Sequence, residues 1–169
     1  MKIVETERLT LRHVTTGDGE FILRLLNEPS FKRFIGDRGV RTRDDAREYI
    51  SQRLIASYDR FGFGMYMAEL KGDGTPIGNC GLVKRETLAD VDIGFAFVPE
   101  FWGQGYAIEA ARAVMAYAKD ALGLARIAAI TAPDNHASIR VLEKLGLKFE
   151  RMVALSRGEP EIRLYARND

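Results

Sequence analysis

Metal-binding side chains are scarce in this sequence. Cys80 is the only cysteine, and the two histidines, His13 and His136, lie far apart in the chain. A single cysteine excludes an intrachain disulfide and a thiol-rich metal site. We therefore expect no metal cofactor, and we interpret Cys80, which lies in an apolar stretch, as a small core residue.

Long apolar runs and an excess of charge of one sign are also missing. No run of about 18 apolar residues is present for a membrane span, and residues 1–8 lack the apolar region of a secretory signal. The net charge of +1 argues against a nucleic-acid binder that relies on bulk charge. We expect a cytoplasmic protein that contacts neither a membrane nor nucleic acid directly.

The remaining composition is that of an ordinary globular protein. Hydrophobic residues make up 46% of the chain and charged residues 29%. A chain of 169 residues is long enough for a domain with its own core. Since no linker, repeat or low-complexity segment interrupts it, we expect a single domain over residues 1–169.

Hydrophobic periodicity predicts alternating strands and helices. Strands are predicted at residues 8–14, 63–70, 76–83, 91–98, 125–132, 147–155 and 161–167. Helices are predicted between Asp18 and Pro29, from Asp44 or Asp45 to about Ser57, from about Gly105 to Leu122, and over residues 136–145. We interpret residues 30–43 as a solvated loop, with part of a substrate mouth as the alternative.

A glycine-containing segment follows the strand at residues 91–98. Gly103 and Gly105 let the backbone approach a ligand closely, and the first N–H groups of the next helix have no partner inside that helix. This arrangement predicts an anion site, most often for phosphate. The segment lacks the Gly-Lys-Ser/Thr ending of a Walker A loop, and Ile108 stands where a dinucleotide fingerprint needs a small residue. A plain strand-to-helix turn is the alternative.

The strand at residues 91–98 has two unlike faces, because side chains alternate along a strand. One face carries bulky apolar side chains, namely Val91, Ile93, Phe95 and Phe97. The other face carries Asp92, Gly94, Ala96 and Val98. The two small residues leave room beside the strand, either for a ligand or for a closely packed helix.

Three stretches together resemble the GNAT N-acetyltransferase superfamily, in its RimJ/RimL-like branch of ribosomal-protein N-terminal acetyltransferases. They are Pro-Glu-Phe-Trp-Gly-Gln-Gly-Tyr-Ala-Ile-Glu-Ala at residues 99–110, Glu-Thr-Glu-Arg-Leu-Thr-Leu-Arg at 5–12, and Asn-His-Ala-Ser at 135–138 followed by Val-Leu-Glu-Lys-Leu-Gly at 141–146. Trp102 departs from many GNAT loops, which carry Gln or Arg there. The resemblance implies an α/β (α+β) GNAT fold: a mixed central sheet of about seven strands, about four flanking helices, and a splayed central strand pair.

The resemblance also implies a site for acetyl-CoA. The loop would hold the pyrophosphate through Gly103, Gln104, Gly105, Tyr106 and Ala107. The pantetheine arm would lie between the splayed strands and bind Asn135 and backbone groups of Phe97 and Val98. Amides at the end of that strand would polarise the thioester carbonyl.

Two residues are candidates for proton transfer. The resemblance implies that Ser138 is the proton donor to the departing thiolate, whereas the alternative is that Asn135 and Ser138 only cap a helix. Asp92 matches an acidic position of the branch and is the candidate general base, directly or through water. Because an Asp pKa of about 3.9 is poorly matched to that task, Asp92 alternatively holds a cationic amine or lies on the solvated surface. His13 and His136 are alternative bases without a sequence partner to orient them.

The function that follows is direct transfer of an acetyl group from acetyl-CoA to an amine. We expect an α-amino group, of a peptide or protein N-terminus or of a small amino compound. The alternatives are a catalytically silent CoA-binding module that serves as a sensor or partner domain, and a binder of a different nucleotide. The sequence leaves the acceptor and the oligomeric state open, a homodimer included.

Overall fold

The computed structural model describes residues 1–168. Its strands are β1 (Lys2–Glu5), β2 (Leu9–Arg12), β3 (Met65–Leu70), β4 (Pro76–Val83), β5 (Asp92–Phe97), β6 (Arg126–Thr131), β7 (Lys148–Val153) and β8 (Ile162–Asn168). They form one mixed sheet in the order β1-β2-β3-β4-β5-β6-β8-β7. Neighbouring strands are antiparallel except β5 and β6, which are parallel.

The helices of residues 1–168 are α1 (Gly19–Leu26), α2 (Pro29–Phe34), α3 (Arg43–Tyr49), α4 (Ala56–Phe61), α5 (Tyr106–Asp120) and α6 (His136–Lys144). A π-helical segment, Ile50–Ile55, joins α3 to α4 without a break. Short 3₁₀ turns lie at Thr16–Asp18 and Pro99–Phe101.

Helices cover both faces of the sheet. On one face, α5 packs against Cys80, Ile93 and Phe97. The buried residues of α5 recur every three or four positions, which is the spacing of one helix face: Ala110, Ala111, Val114, Met115 and Ala118. On the other face, α1 and α3 pack against Met67 and Val98. Each face of the sheet therefore contributes to a separate apolar cluster.

Two elements differ from the sequence-based expectation. Strand β1 adds an eighth strand, which pairs with β2 at the edge of the sheet. Helix α2 lies where a loop was predicted, because Pro29 begins that helix rather than only ending the one before it. Proline is tolerated in the first turn of a helix, where its missing N–H would have no partner in any case.

The second predicted helix also starts and ends differently. Its N-cap is Thr42, whose hydroxyl accepts a hydrogen bond from the Asp45 N–H at 3.0 Å. Asp45 in turn accepts from the Thr42 N–H, so the two residues form a capping box. The helical stretch continues through α4 to Phe61, and Gly62 ends it with a left-handed φ of 79°.

The central parallel pair opens into a cleft. Strands β5 and β6 share a single register pair, Asp92 with Ala128, and beyond it they separate. As a result Gly94, Phe95 and Ala96 are partly exposed in the middle of the sheet, although Ile93 and Phe97 on either side are buried. The predicted splayed strand pair is confirmed, and its open end lies at the carboxyl ends of β5 and β6.

Candidate active site

The glycine loop after β5 adopts the conformation that its sequence indicates. Gly103 and Gly105 have φ angles of 75° and 83°, in the left-handed region that side chains disfavour. Gly105 is the N-cap of α5, and its carbonyl accepts a hydrogen bond from the Glu109 N–H at 3.1 Å. The N–H groups of residues 106–108 therefore have no carbonyl partner inside α5. Together with the helix dipole, they suit a pyrophosphate.

Two side chains fasten this loop to the end of β5. The Trp102 indole Nε1 donates to the Phe97 carbonyl at 2.6 Å, although 52% of the residue is exposed. The Gln104 amide donates to the Glu100 carbonyl at 3.3 Å. This bond uses one of the two donors of the Gln104 amide and fixes the side chain against the loop.

The first turn of α5 is fastened to the chain's N-terminal segment through Glu109. Its carboxylate accepts from the Thr6 hydroxyl at 2.5 Å, from the Arg8 N–H at 3.0 Å and from Arg8 Nε at 2.7 Å. Arg8 also lies over the ring of Tyr106, 4.2 Å from its centroid. Burial would raise the pKa of Glu109, but the hydrogen bonds from Thr6 and Arg8 outweigh it and lower the pKa.

Backbone groups of Phe97 and Val98 differ in their availability. The Val98 N–H donates to the Ile77 carbonyl at 3.0 Å, and the Val98 carbonyl accepts from the Phe101 N–H at 3.0 Å. Because N–H directions alternate along a strand, the Phe97 N–H points the other way, toward the side on which β6 diverges. Of these two predicted residues, Phe97 is the one whose N–H faces the cleft.

Asn135 and Ser138 lie at the start of α6, directly after the loop that follows β6. Asn135 is the N-cap of this helix, and its Oδ1 accepts from the Ser138 N–H at 3.3 Å. Asn135 therefore caps the helix, as one interpretation of the sequence expected. The capping bond uses only its oxygen, so both donors of the amide remain for a ligand. Ser138 is half-buried in the first turn.

Asp92 lies apart from these residues. It is the first residue of β5, where β5 still pairs with β6, about 16 Å along the strand from Phe97. The residue is 1% exposed, and its carboxylate pairs with Arg85 Nε at 3.1 Å. Burial raises the pKa of Asp92 to about 6, against the opposing charge of Arg85. This position does not favour contact with an amine at the open end of the cleft, and the role of general base stays a prediction.

The remaining titratable candidates are His13, His136 and Cys80. His13 stacks on Tyr58 with ring centroids 4.0 Å apart, and burial lowers its pKa. His136 is exposed as the first residue of α6. Cys80 is fully buried, and burial raises the pKa of its thiol, which leaves it without a role as a nucleophile.

Two ion pairs link the helical layer to the carboxyl ends of the splayed strands. Arg24 of α1 pairs with Glu100, just after β5. Arg33 of α2 pairs with Asp134, after β6, at 3.3 Å. All four side chains are exposed, so each pair contributes about 0–1 kcal/mol. Helices α1 and α2 thus border the mouth of the cleft, which favours the alternative that residues 30–43 form part of a substrate mouth.

Residues 1–168 contain no group of three or more His, Cys, Asp or Glu side chains that could hold a metal ion. None of their helices is long and apolar enough to cross a membrane.

Residues 8–148 match the protein family described as Acetyltransferase (GNAT) domain. The chain belongs to the GNAT acetyltransferase family. As a GNAT protein, it is an acetyl-CoA-dependent N-acetyltransferase.

Individual relatives agree with this assignment. The chain is 33% identical to the uncharacterized protein YkkB of Bacillus subtilis strain 168, over 88% of this chain and 86% of YkkB. It is 32% identical to the uncharacterized N-acetyltransferase YoaA of the same strain, over 88% of this chain and 84% of YoaA. The structure of RimL, a ribosomal L7/L12 α-N-protein acetyltransferase in complex with coenzyme A, superposes with a TM-score of 0.85 at 19% identity, covering 99% of this chain and 98% of RimL. The likeness to RimL is one of fold.

Sequence reasoning missed two features of this GNAT site. The resemblance included both residues 5–12 and residues 99–110, but nothing in the sequence indicated that Thr6 and Arg8 hold Glu109. The expectation for Trp102 was only a departure from the family pattern, whereas its indole fastens the loop to β5. Both contacts depend on tertiary packing, which local patterns do not report.

Proposed function

We propose that this GNAT enzyme acetylates an α-amino group, of a peptide or protein N-terminus or of a small amino compound. The observation that carries acetyl transfer from acetyl-CoA is the loop with two left-handed glycines at the open end of the splayed strand pair. Such a loop brings backbone donors to one place, next to a cleft that reaches through the sheet.

In this proposal the cofactor lies across the loop and the cleft. Backbone amides of residues 103–107 bind the pyrophosphate, while the Phe97 N–H and the Asn135 amide bind the pantetheine arm. Val98 is not included, because both of its backbone groups already have partners. Acetyl-CoA supplies the activated acetyl group as a thioester.

The reaction is a direct displacement. The neutral amine attacks the thioester carbonyl, the carbon–sulfur bond breaks, and the thiolate of CoA leaves. Ser138 gives a proton to this thiolate and takes one back from solvent, or it orients a water that protonates the thiolate. The new amide loses its surplus proton to solvent or to a base. Asp92 would act as that base only through intervening water, given its burial.

The α-amine is preferred because the site offers little help with deprotonation. An α-amino group titrates near 7.7–8.0 and lysine near 10.4, so lysine costs about 3.5 kcal/mol more to deprotonate. At the open end of the cleft, the carboxylates of Glu100 and Asp134 pair with arginines. RimL, a ribosomal L7/L12 α-N-protein acetyltransferase, shares the fold and supports the same acceptor class.

A competition assay tests the proposal. Acetyl-CoA is supplied at about pH 7.5 with peptides that have a free N-terminus, with N-blocked peptides that contain lysine, and with small amino compounds. Thiol release and mass spectrometry then report which amine is acetylated. We expect the free N-termini or small α-amines to react faster. Faster reaction of the blocked lysine peptides would contradict the acceptor class, and tight acetyl-CoA binding without thiol release for any amine would favour a silent binding module.

A further inference from the structure

Asn79 of β4 is a buried polar residue whose oxygen has no partner. The residue is 7% exposed, and its Oδ1 accepts no hydrogen bond from any group of residues 1–168. A buried amide oxygen in this state forfeits the hydrogen bond that water would give it in the unfolded chain. An apolar side chain of the same size would avoid this loss, so packing alone does not explain an asparagine here.

The position of Asn79 connects it to the cleft. In the sheet register Asn79 lies between Met67 of β3 and Ala96 of β5. Directly opposed residues of antiparallel strands have Cβ atoms about 4.5–5.5 Å apart, and Ala96 is one of the partly exposed residues of the cleft. Asn79 is therefore the direct neighbour of a residue of β5 that is exposed in the cleft, and this neighbour has only a methyl group as its side chain.

The part of β5 beside this carboxamide carries two very small residues, Gly94 and Ala96. Gly94 lies on the same face of β5 as Ala96, and a methyl group added to Gly94 would meet nothing closer than Met65 Sδ at 3.7 Å. That distance is an ordinary van der Waals contact. The Met65 side chain therefore lies over Gly94, on the same face of the sheet as Asn79.

Asn79 faces the half of the cleft opposite to α5. The side chains of Cys80 and Phe97 belong to the apolar cluster on the face of the sheet that α5 covers. Met67 and Ala96, the cross-strand neighbours of Asn79, contact the cluster that includes α1 and α3. The amide thus points away from the proposed cofactor side, toward the side bordered by α1 and α2.

We propose that the Asn79 carboxamide binds the amino group of the acceptor. An N–H of the amine donates to Oδ1, which holds the nitrogen in the cleft while its lone pair attacks the thioester from the other face. A neutral amide stabilises an ammonium ion less than a carboxylate would, so Asn79 selects primary amines that are neutral near physiological pH. This inference rests on the proposed acetyl transfer and identifies the residue that recognises its acceptor.

Replacement by a side chain of similar size tests this role. Asn79→Leu should raise the KM for the acceptor about tenfold, the value of one hydrogen bond, and leave the KM for acetyl-CoA unchanged. Its melting temperature should stay equal or rise, because the unpaired buried amide is gone. Cys80→Ala is the matched control, because Cys80 is the next residue of β4 and its side chain lies on the opposite face of the sheet, which α5 covers. We expect Cys80→Ala to lower the melting temperature and leave the acceptor KM unchanged.

The outcomes separate the inference from the proposed function. An unchanged acceptor KM in Asn79→Leu, or an equal rise in both KM values, would overturn the role of Asn79 while the wild-type activity stands. Wild-type protein that binds acetyl-CoA but acetylates no primary amine would overturn both proposals. Should Asn79→Leu not fold, Asn79→Ala decides by the same two KM values.

Discussion

Gly105→Val is the substitution that most directly tests the placement of acetyl-CoA. Gly105 has a φ of 83°, and a Cβ at this position would lie 3.4 Å from Arg8 Nη2. The left-handed conformation costs a residue with a Cβ about 1–2 kcal/mol, and the branched side chain would in addition press on the guanidinium that packs on Tyr106. The loop then either keeps its shape at the expense of stability or relaxes and moves its amides.

The two responses have different signatures. We expect relaxation to dominate and to weaken acetyl-CoA binding by about tenfold or more, which corresponds to roughly 1.4 kcal/mol. Isothermal titration calorimetry with acetyl-CoA, without an acceptor, measures the affinity. Thermal unfolding measured by circular dichroism gives the melting temperature of the same preparations.

Gly62→Val is the matched control for this substitution. Gly62 has a similar φ of 79°, no atom within 4 Å of an added Cβ, and a position at the end of α4 away from the loop. It should lower the melting temperature and leave the affinity unchanged. Gly105→Val could instead lower the melting temperature as much as Gly62→Val does and bind acetyl-CoA with the affinity of the wild type. In that case the loop does not hold the cofactor.

Two further substitutions test the proton-transfer candidates. Ser138→Ala should lower kcat by roughly 10²-fold or more and change the acetyl-CoA affinity little; a loss of melting temperature at full kcat would assign Ser138 to the helix cap alone. Asp92→Asn tests the buried carboxylate through stability, because burial raises the Asp92 pKa from 3.8 to about 6. Because the folded protein binds the Asp92 proton more tightly than the unfolded chain does, this proton contributes its full stabilisation below about pH 4. The contribution is lost as pH rises through about 6. The stability of wild type relative to Asp92→Asn in urea should therefore fall by about 1–2 kcal/mol between about pH 5 and 7.5, and a constant or growing difference would contradict the buried ionisation.

Local patterns predicted the elements that are long or strongly periodic. Helix α5 has a continuous apolar face and lies within two residues of its predicted bounds. Strand β1 has only four residues, and its pairing with β2 rather than its own sequence makes it a strand. Helix α2 was missed because Pro29 both ends one helix and begins another, and a local pattern does not separate the two roles.

The candidate site likewise has local features that the sequence predicts and tertiary features that it does not. The glycine loop was predictable because glycine at two close positions and a helix start are local features. The burial of Asp92, the two partners of Val98 and the unpaired oxygen of Asn79 all depend on strand register. Register is fixed by pairing across the sheet, so a single sequence without structure indicates these residues but not their surroundings.

The anchoring of Glu109 by Thr6 and Arg8 has a consequence for how the protein assembles. The bonded residues are 101–103 positions apart in the chain, so the turn between β1 and β2 meets its partner only after most of the chain exists. Closing so long a loop costs entropy before the contact forms, so the anchor of the glycine loop depends on contact between distant parts of the chain. A molecule that binds the loop then stabilises a contact between the two halves of the chain, and its binding energy opposes unfolding of the whole sheet.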